Sequence, residues 1–202
     1  MKNKVMKLKI KVISLIVLIM LAVSTVFGAS TKSSSYNKYY KELENLTPNQ
    51  IAILFDSYYH GKEHDLELTL AAIAWKESSF GKFKVNSKDG KYGSFSSYQI
   101  KLDTHAKANN IEEFAHIIEE AHKLINDNDY AAQVAIKNLL YWKERRSTYS
   151  GMLASYNAGN KGLKNPKGKA YANDVKLRVK VLSDFIKDGY PFKNLDVLIS
   201  SN

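Results

Sequence analysis

The sequence predicts a mostly α-helical domain carrying one small β-hairpin. Apolar residues recur at three- and four-residue spacing along most of the chain, and helix-starting and helix-stopping residues bracket those runs. A single stretch, residues 82–100, breaks the rhythm. Only three prolines occur in 202 residues and no internal repeat is visible, so one packed unit of helices is the economical arrangement.

The first 28 residues stand apart from that fold. Lys2, Lys4, Lys7, Lys9 and Lys11 come without an acid, residues 12–23 are apolar except for Ser14, and small residues follow up to Ala29. Basic, apolar and small-residue regions in that order describe a secretory signal peptide. The apolar run is shorter than the ~20 residues a membrane-spanning helix needs; an uncleaved anchor is the alternative. Val26 and Gly28 suit the −3 and −1 positions, so the mature chain is expected to begin at Ala29. Losing five lysines and no acid takes the formal charge from +10 to +5. A mildly basic exported protein is drawn to anionic surfaces such as a cell wall or lipid headgroups. Its lysines are scattered rather than gathered in a stripe, which speaks against nucleic acid as a partner. With no cysteine, a disulfide framework, a thiolate metal site, a cysteine nucleophile and a lipidated cysteine are all excluded.

Residues 29–46 read as a flexible leader, polar through residue 38, and a first short helix. The folded domain is expected over 47–190, with a C-terminal tail at 191–202. Thr47-Pro48-Asn49-Gln50 combines an N-cap, a proline at the first helical position and a capping-box glutamine. Ile51, Leu54, Phe55 and Tyr58 continue that helix until Gly61, and a second is expected from Asp65 to Ser79, stopped by Gly81. Residues 82–100, polar and containing Gly90 and Gly93, form a loop or small hairpin. Helices resume over 111–125, with Asn110 and Glu113 as a capping pair, then 129–145, 148–157 and 169–188. Loops separate them at 126–128 and 159–168.

Leu66, Leu70, Ile73, Glu77 and Phe80 follow one another at spacings of 4, 3, 4 and 3. Such a stripe faces a core, and Glu77 occupies a place where the pattern calls for a hydrophobe. A carboxyl group held there loses solvation and its pKa rises, which suits a group that must donate a proton to a leaving oxygen. The competing reading places Glu77 at the helix end, reaching water or a lysine. Periodicity does not choose between them.

Four further segments do. Glu77-Ser78 closes a helix, a polar stretch ends on Gln99-Ile100, and Ser155-Tyr156-Asn157-Ala158-Gly159 and Tyr171-Ala172-Asn173-Asp174-Val175 follow in order. Together these resemble the lytic transglycosylase family of the soluble-lytic type, whose domain is lysozyme-like: its Glu-Ser, its Gly-x-x-Gln-Ile loop, its Ala-Tyr-Asn-Ala-Gly segment and its Tyr-x-x-x-Val helix. The resemblance spans roughly residues 65–180. It departs from the family at the loop, where Ser96-Ser97-Tyr98-Gln99 replaces Gly-Leu-Met-Gln and Gly93 lies three residues too early.

The resemblance implies an all-α lysozyme-like domain with a small hairpin, acting on the glycan strands of peptidoglycan without cofactor or metal; the chain is expected to be a monomer, and the signal peptide places it in the periplasm, outside the cell or at the cell wall. Glu77 would be the catalytic acid and base, and a 1,6-anhydro-muramic acid product would form. Ser78, Tyr98, Gln99, Tyr156, Asn157 and Tyr171 would line the substrate site, with the Tyr156 hydroxyl holding the carboxyl group and Gly159 permitting a turn. For Tyr156 and Tyr171 ordinary packing is the competing role. A true hydrolase (muramidase) would need a partner acid, for which Asp89 and Asp103 are the nearby candidates; solvated loop charges are their other reading. A non-catalytic wall-binding part of a secretion or conjugation apparatus is the alternative from another class. Glu112, His116 and Glu120, spaced i, i+4, i+8, read as an exposed charged face rather than metal ligands, and Tyr141 and Trp142 as core rather than a sugar platform.

Overall fold

A computed structural model describes residues 33–189. The expected signal peptide (1–28), the first residues of the leader and the 191–202 tail lie outside the described residues. The chain divides into two compact units, Met1–Asn37 and Lys38–Asn202.

The elements run α1 (Ser34–Glu44), α2 (Pro48–Lys62), α3 (Glu67–Ser78), β1 (Val85–Asn86), β2 (Ser94–Phe95), β3 (Ile100–Lys101), α4 (Leu102–Ala108), α5 (Phe114–Asn126), α6 (Asn128–Arg145), α7 (Tyr149–Ala158), a 3₁₀ turn (Gly159–Lys161) and α8 (Pro166–Lys187). The described residues are thus mostly helical with one small antiparallel sheet, as the sequence predicts. The sheet has three strands in the order β1-β2-β3 rather than a hairpin's two, with Val85 opposite Phe95 and Ser94 opposite Lys101.

Helix α1 corrects the reading of residues 34–38 as flexible. Tyr39, Tyr40 and Leu43 share one face: Leu43 is buried, Tyr39 meets Trp75 edge-on at 5.3 Å and Tyr40 meets Phe185 at 5.6 Å. Aromatic burial of that size orders a segment that looks polar in sequence. The Thr47–Gln50 capping box forms as expected, with both reciprocal bonds present. The Asn110–Glu113 pair does not. Glu113 is itself the N-cap of α5 and makes no side-chain cap bond, while Asn110 turns the chain at φ 55°. Helix α4, unforeseen, is only seven residues long, too short to show a period. Helix α8 begins three residues before the expected start, because Asn165 caps the Lys167 amide at 2.9 Å and Pro166 takes the first position.

Helix α3 is the axis of the core. Leu70, Ala71, Ala72, Ile73, Ala74 and Trp75 are all at most 3% exposed, because α2, α6 and α8 pack around it. A helix hydrophobic all round is a buried helix, and the alanines let its neighbours approach.

Candidate active site

Glu77 lies in the last turn of α3, where that buried helix runs into a tight bend. Ser79, Phe80 and Gly81 follow with φ of 51°, 54° and 78°. Two successive non-glycine residues in the left-handed region are costly. The surroundings hold them there: the Ser79 and Phe80 amides donate to Trp75 and Ala74 carbonyls, and Phe80 is buried, stacked on Trp75 at 5.8 Å. Ser78 fastens the bend from inside. Its Oγ lies 2.7 Å from the Ser97 carbonyl and 3.0 Å from that of Ala74, and accepts the Gly81 amide at 2.7 Å.

Glu77 is half-buried at this helix end. Burial pushes its pKa up to about 7, against the opposing pull of the Tyr171 hydroxyl and the Lys76 charge, while the Asp89 charge adds to the rise. Tyr171 Oη is buried without a partner at full hydrogen-bonding geometry, yet lies near enough to Glu77 for its hydroxyl to favour the carboxylate. Tyr156 stacks on Tyr171 with ring centroids 6.5 Å apart. Both phenols are held well above their ordinary pKa by burial and by the Glu77 charge, so each stays a neutral donor.

The roles of the two tyrosines differ from the expectation. Tyr156 donates to the Tyr98 carbonyl at 3.2 Å, so it braces the 96–99 loop rather than holding the acid; Tyr171 faces the acid instead. Tyr98, expected among the sugar contacts, is 1% exposed and its hydroxyl pairs with Ser57 at 2.9 Å. Ser78 is likewise buried and committed to the backbone. Gln99 is half-buried, its Nε2 donating to the Phe83 carbonyl at 2.8 Å. That bond ties the loop to the segment just after Glu77. Asn157 is exposed at the end of α7, and Gly159 caps that helix at φ 63°, ψ −148°, a conformation open essentially to glycine alone.

Ser96 has φ 80° and Gln99 φ 49°. Ser96 therefore occupies the backbone conformation of a glycine at the point where the resembled loop has one. Its buried Oγ accepts the Tyr98 amide at 3.1 Å and its carbonyl the Gln99 amide at 3.3 Å, local bonds of the kind that let serine take a turn position.

Asp89 is half-buried on the turn between β1 and β2. Ser94 Oγ donates to it at 2.5 Å and Lys101 Nζ stands 3.9 Å away. Asp103 Oδ1 accepts the Thr104 amide at 2.8 Å, a helix-start bond.

Two clusters escaped the sequence reading. Glu120 is buried, not on an exposed face: it accepts from Lys123 at 2.8 Å and from Tyr130, and meets His105 Nε2 at 3.0 Å. Burial alone would raise its pKa, but the bonds from Lys123, Tyr130 and His105 hold it at about 2. Glu112 and His116 are exposed as expected. Among the described residues no group of three or more His, Asp or Glu could hold a metal ion. Trp142 is buried, while Tyr141 is 44% exposed with the Arg145 guanidinium 3.7 Å above its ring. The second cluster surrounds Asp174, one turn beyond Tyr171. It accepts from Tyr39, Arg178 (3.2 Å) and Lys76 (2.8 Å). Lone charged residues on different helices give no signal in sequence that they will meet.

No family model, curated protein or solved structure matches the chain.

Proposed function

We propose that this chain is an exported enzyme that cleaves the glycan strand of peptidoglycan between N-acetylmuramic acid and N-acetylglucosamine, as a lytic transglycosylase on a lysozyme-like domain. The observation that carries the proposal is Glu77: a carboxyl group at the end of a buried helix, protonated near neutrality and facing Tyr171. Such a group can donate a proton to a leaving oxygen at the pH where the protein works. The left-handed Ser96, in the place of the family's loop glycine, and the Tyr156 bond to that loop support the same reading.

In this mechanism Glu77 protonates the glycosidic oxygen as the bond from C1 of the muramoyl residue breaks. The resulting carboxylate takes the proton from the muramoyl 6-hydroxyl, whose oxygen then bonds to C1 and closes the 1,6-anhydro ring. Tyr171 steadies the carboxylate between the two steps. No water and no second carboxylate are consumed. The test is to digest purified peptidoglycan and weigh the products; reducing ends in place of anhydro ends would overturn it. Export rests on residues 1–28 and is tested by N-terminal sequencing of protein recovered outside the cytoplasm, where a start near Ala29 is expected.

One observation favours a second reading, a muramidase. The Asp89 charge is felt at Glu77, and a two-carboxylate hydrolase needs an ionised partner near its acid. Against it, Asp89 is already engaged by Ser94 and Lys101.

A further inference from the structure

Between the start of α2 and the segment after the Ser79–Gly81 bend lies a cavity of about 500 Å³. Small-molecule sites occupy roughly 300–1,000 Å³. The charge on its lining is of one sign. Lys82 and Lys84 come from the segment after the bend, Thr47, Asn49 and Gln50 from the head of α2, Asn128 from the start of α6, and no acidic side chain lines it. The acid whose charge reaches Lys84, Asp56, stands further along α2 and outside that lining. Lys84 is held in place, its Nζ donating to the Ile125 carbonyl at 3.1 Å and to Asn128 Oδ1 at 3.0 Å. An ammonium group has three protons, so one remains for a ligand. At the head of α2, Pro48 has no N–H and the Gln50 amide donates to Thr47 Oγ1. The Asn49 amide is the donor left over at this positive helix end.

The rim of this cavity is apolar. Lys82, part of the lining, places its Nζ 5.4 Å from the centre of the Phe83 ring. Phe83 is 60% exposed and Val85 55%. Neither sits on loose chain. The Phe83 amide donates to the Ser78 carbonyl at 3.0 Å, its carbonyl accepts from Gln99 Nε2 at 2.8 Å, and Val85 pairs with Phe95 in the sheet. A rigid backbone thus presents two apolar side chains to solvent beside a cavity lined by cations. Lys88 and Lys91 follow, both exposed, and Asp89 between them is engaged by Ser94 with Lys101 close by.

We propose that the cavity and its rim form a docking site for an anionic phospholipid at a membrane surface: the phosphate enters between Lys82, Lys84 and the Asn49 amide, while Phe83 and Val85 rest in the apolar layer beneath the headgroups. The two features select this partner together. A free anion or an anionic polymer meets the cations and leaves Phe83 and Val85 in water. A neutral apolar partner covers the ring and leaves the cations unused. A lipid surface satisfies both, because basic residues gain from anionic headgroups and exposed aromatic and aliphatic groups bury at the headgroup–acyl boundary. The site shares no residue with Glu77, Tyr156 or Tyr171, so it does not rest on the proposed reaction.

The test is co-sedimentation of the purified full chain with vesicles of phosphatidylcholine, alone or mixed equally with phosphatidylglycerol. Residues 1–28 are common to every variant, so differences between variants report the site. The parent should bind the anionic vesicles, and less as salt rises from about 0.1 to about 0.5 M. Lys82→Gln should lower binding roughly fivefold and Phe83→Ser about tenfold. Lys143→Gln, which removes an exposed lysine from α6, should bind as the parent does. All three side chains are exposed, and circular dichroism checks that the variants fold. Phe83→Trp should add a blue shift of tryptophan emission on the anionic vesicles and none on the neutral ones. Inorganic phosphate should shift the Asn49 and Lys82 amide signals in NMR spectra of the parent. Equal binding to both vesicle types, or equal losses from Lys82→Gln and Lys143→Gln, would overturn the proposal. If phosphate shifts those amides while vesicles stay unbound, the site takes a free anion and the lipid is wrong. If Lys82→Gln weakens binding and Phe83→Ser does not, the partner is an anionic polymer and the lipid is again wrong.

Discussion

Tyr171 and Glu77 meet where α8 crosses the end of α3, the phenol buried and the carboxyl group half-buried. A carboxyl group pushed to about 7 is divided between its acid and base forms near neutral pH. The tyrosine serves both forms: it helps the carboxylate when the proton has left, and its own proton is secured by a pKa raised far beyond reach. A single group that must first give a proton and then take one gains from such a neighbour. The bend at Ser79–Gly81, held by Ser78 and Phe80, follows directly on the turn that carries the acid.

Glu77→Gln should lower turnover sharply while stabilising the fold. Loss of general acid–base catalysis costs about 10²–10⁴-fold. The carboxyl group binds its proton more tightly folded than unfolded. Its contribution to stability is therefore complete below pH 4.5 and lost as pH rises through about 7. The amide carries no such penalty, so the variant should gain on the parent by up to about 3 kcal/mol above pH 7 and by little at pH 4. Denaturant unfolding at the two pH values measures this. A folded variant with near-normal lysis would remove Glu77 from the mechanism.

Ser96 is tested by its backbone. Ser96→Gly relieves φ 80° and forfeits the bond from the Tyr98 amide, so stability should change by less than about 1 kcal/mol and lysis should survive. Ser96→Val puts a β-branched residue in the left-handed region and should cost more than about 2 kcal/mol. Equal stability of the two variants in thermal melts would mean that the loop is not held in this conformation.

Glu120 staples α4, α5 and α6 through His105, Lys123 and Tyr130. Its folded pKa lies below the unfolded value, so its contribution is present above pH 4.5 and lost as pH falls through about 2. Glu120→Gln breaks a buried charged network and should cost about 3 kcal/mol at neutral pH. The gap between variant and parent should then close in acid. A gap that stays constant from pH 7 to pH 2 would show that the carboxylate charge contributes nothing.

What the sequence discloses depends on the range of the interaction. The Thr47–Gln50 box, the Gly159 cap and the Leu66–Phe80 stripe are local, and each is legible in a few residues. Glu77 stands out as a polar residue in an apolar period, but that period left its side chain free to face water at the helix end; the burial that raises its pKa comes from other elements. Strands of two residues and a seven-residue helix carry no period at all, so the third strand and α4 were invisible. Side-chain roles fixed by distant partners were equally hidden. Tyr98 turned from sugar contact to core because Ser57 lies 41 residues away, and Glu120 left the surface because His105 and Tyr130 come from other helices. Asp174 stood inside a motif read only for its tyrosine.

The products decide between the two enzymatic readings. A hydrolase positions a water and generally a second carboxylate to activate it or to steady the cationic intermediate. Asp89 is the candidate whose charge reaches Glu77, but its oxygens are occupied by Ser94 and paired with Lys101, and Asp103 is spent on the start of α4. An attacking hydroxyl carried by the substrate needs neither, because its proximity to the reacting carbon replaces the activation that a free water requires. Digestion of purified peptidoglycan should therefore yield muropeptides one water lighter than hydrolysed ones and inert to borohydride. Asp89→Asn should keep at least about a third of the activity, and should lower rather than raise the Glu77 midpoint, since the charge that opposes ionisation is gone. Asp103→Asn should be close to the parent. If the products reduce with borohydride, or if Asp89→Asn or Asp103→Asn is as inactive as Glu77→Gln, the reaction is hydrolysis, and the aspartate whose loss inactivates it is the second carboxylate.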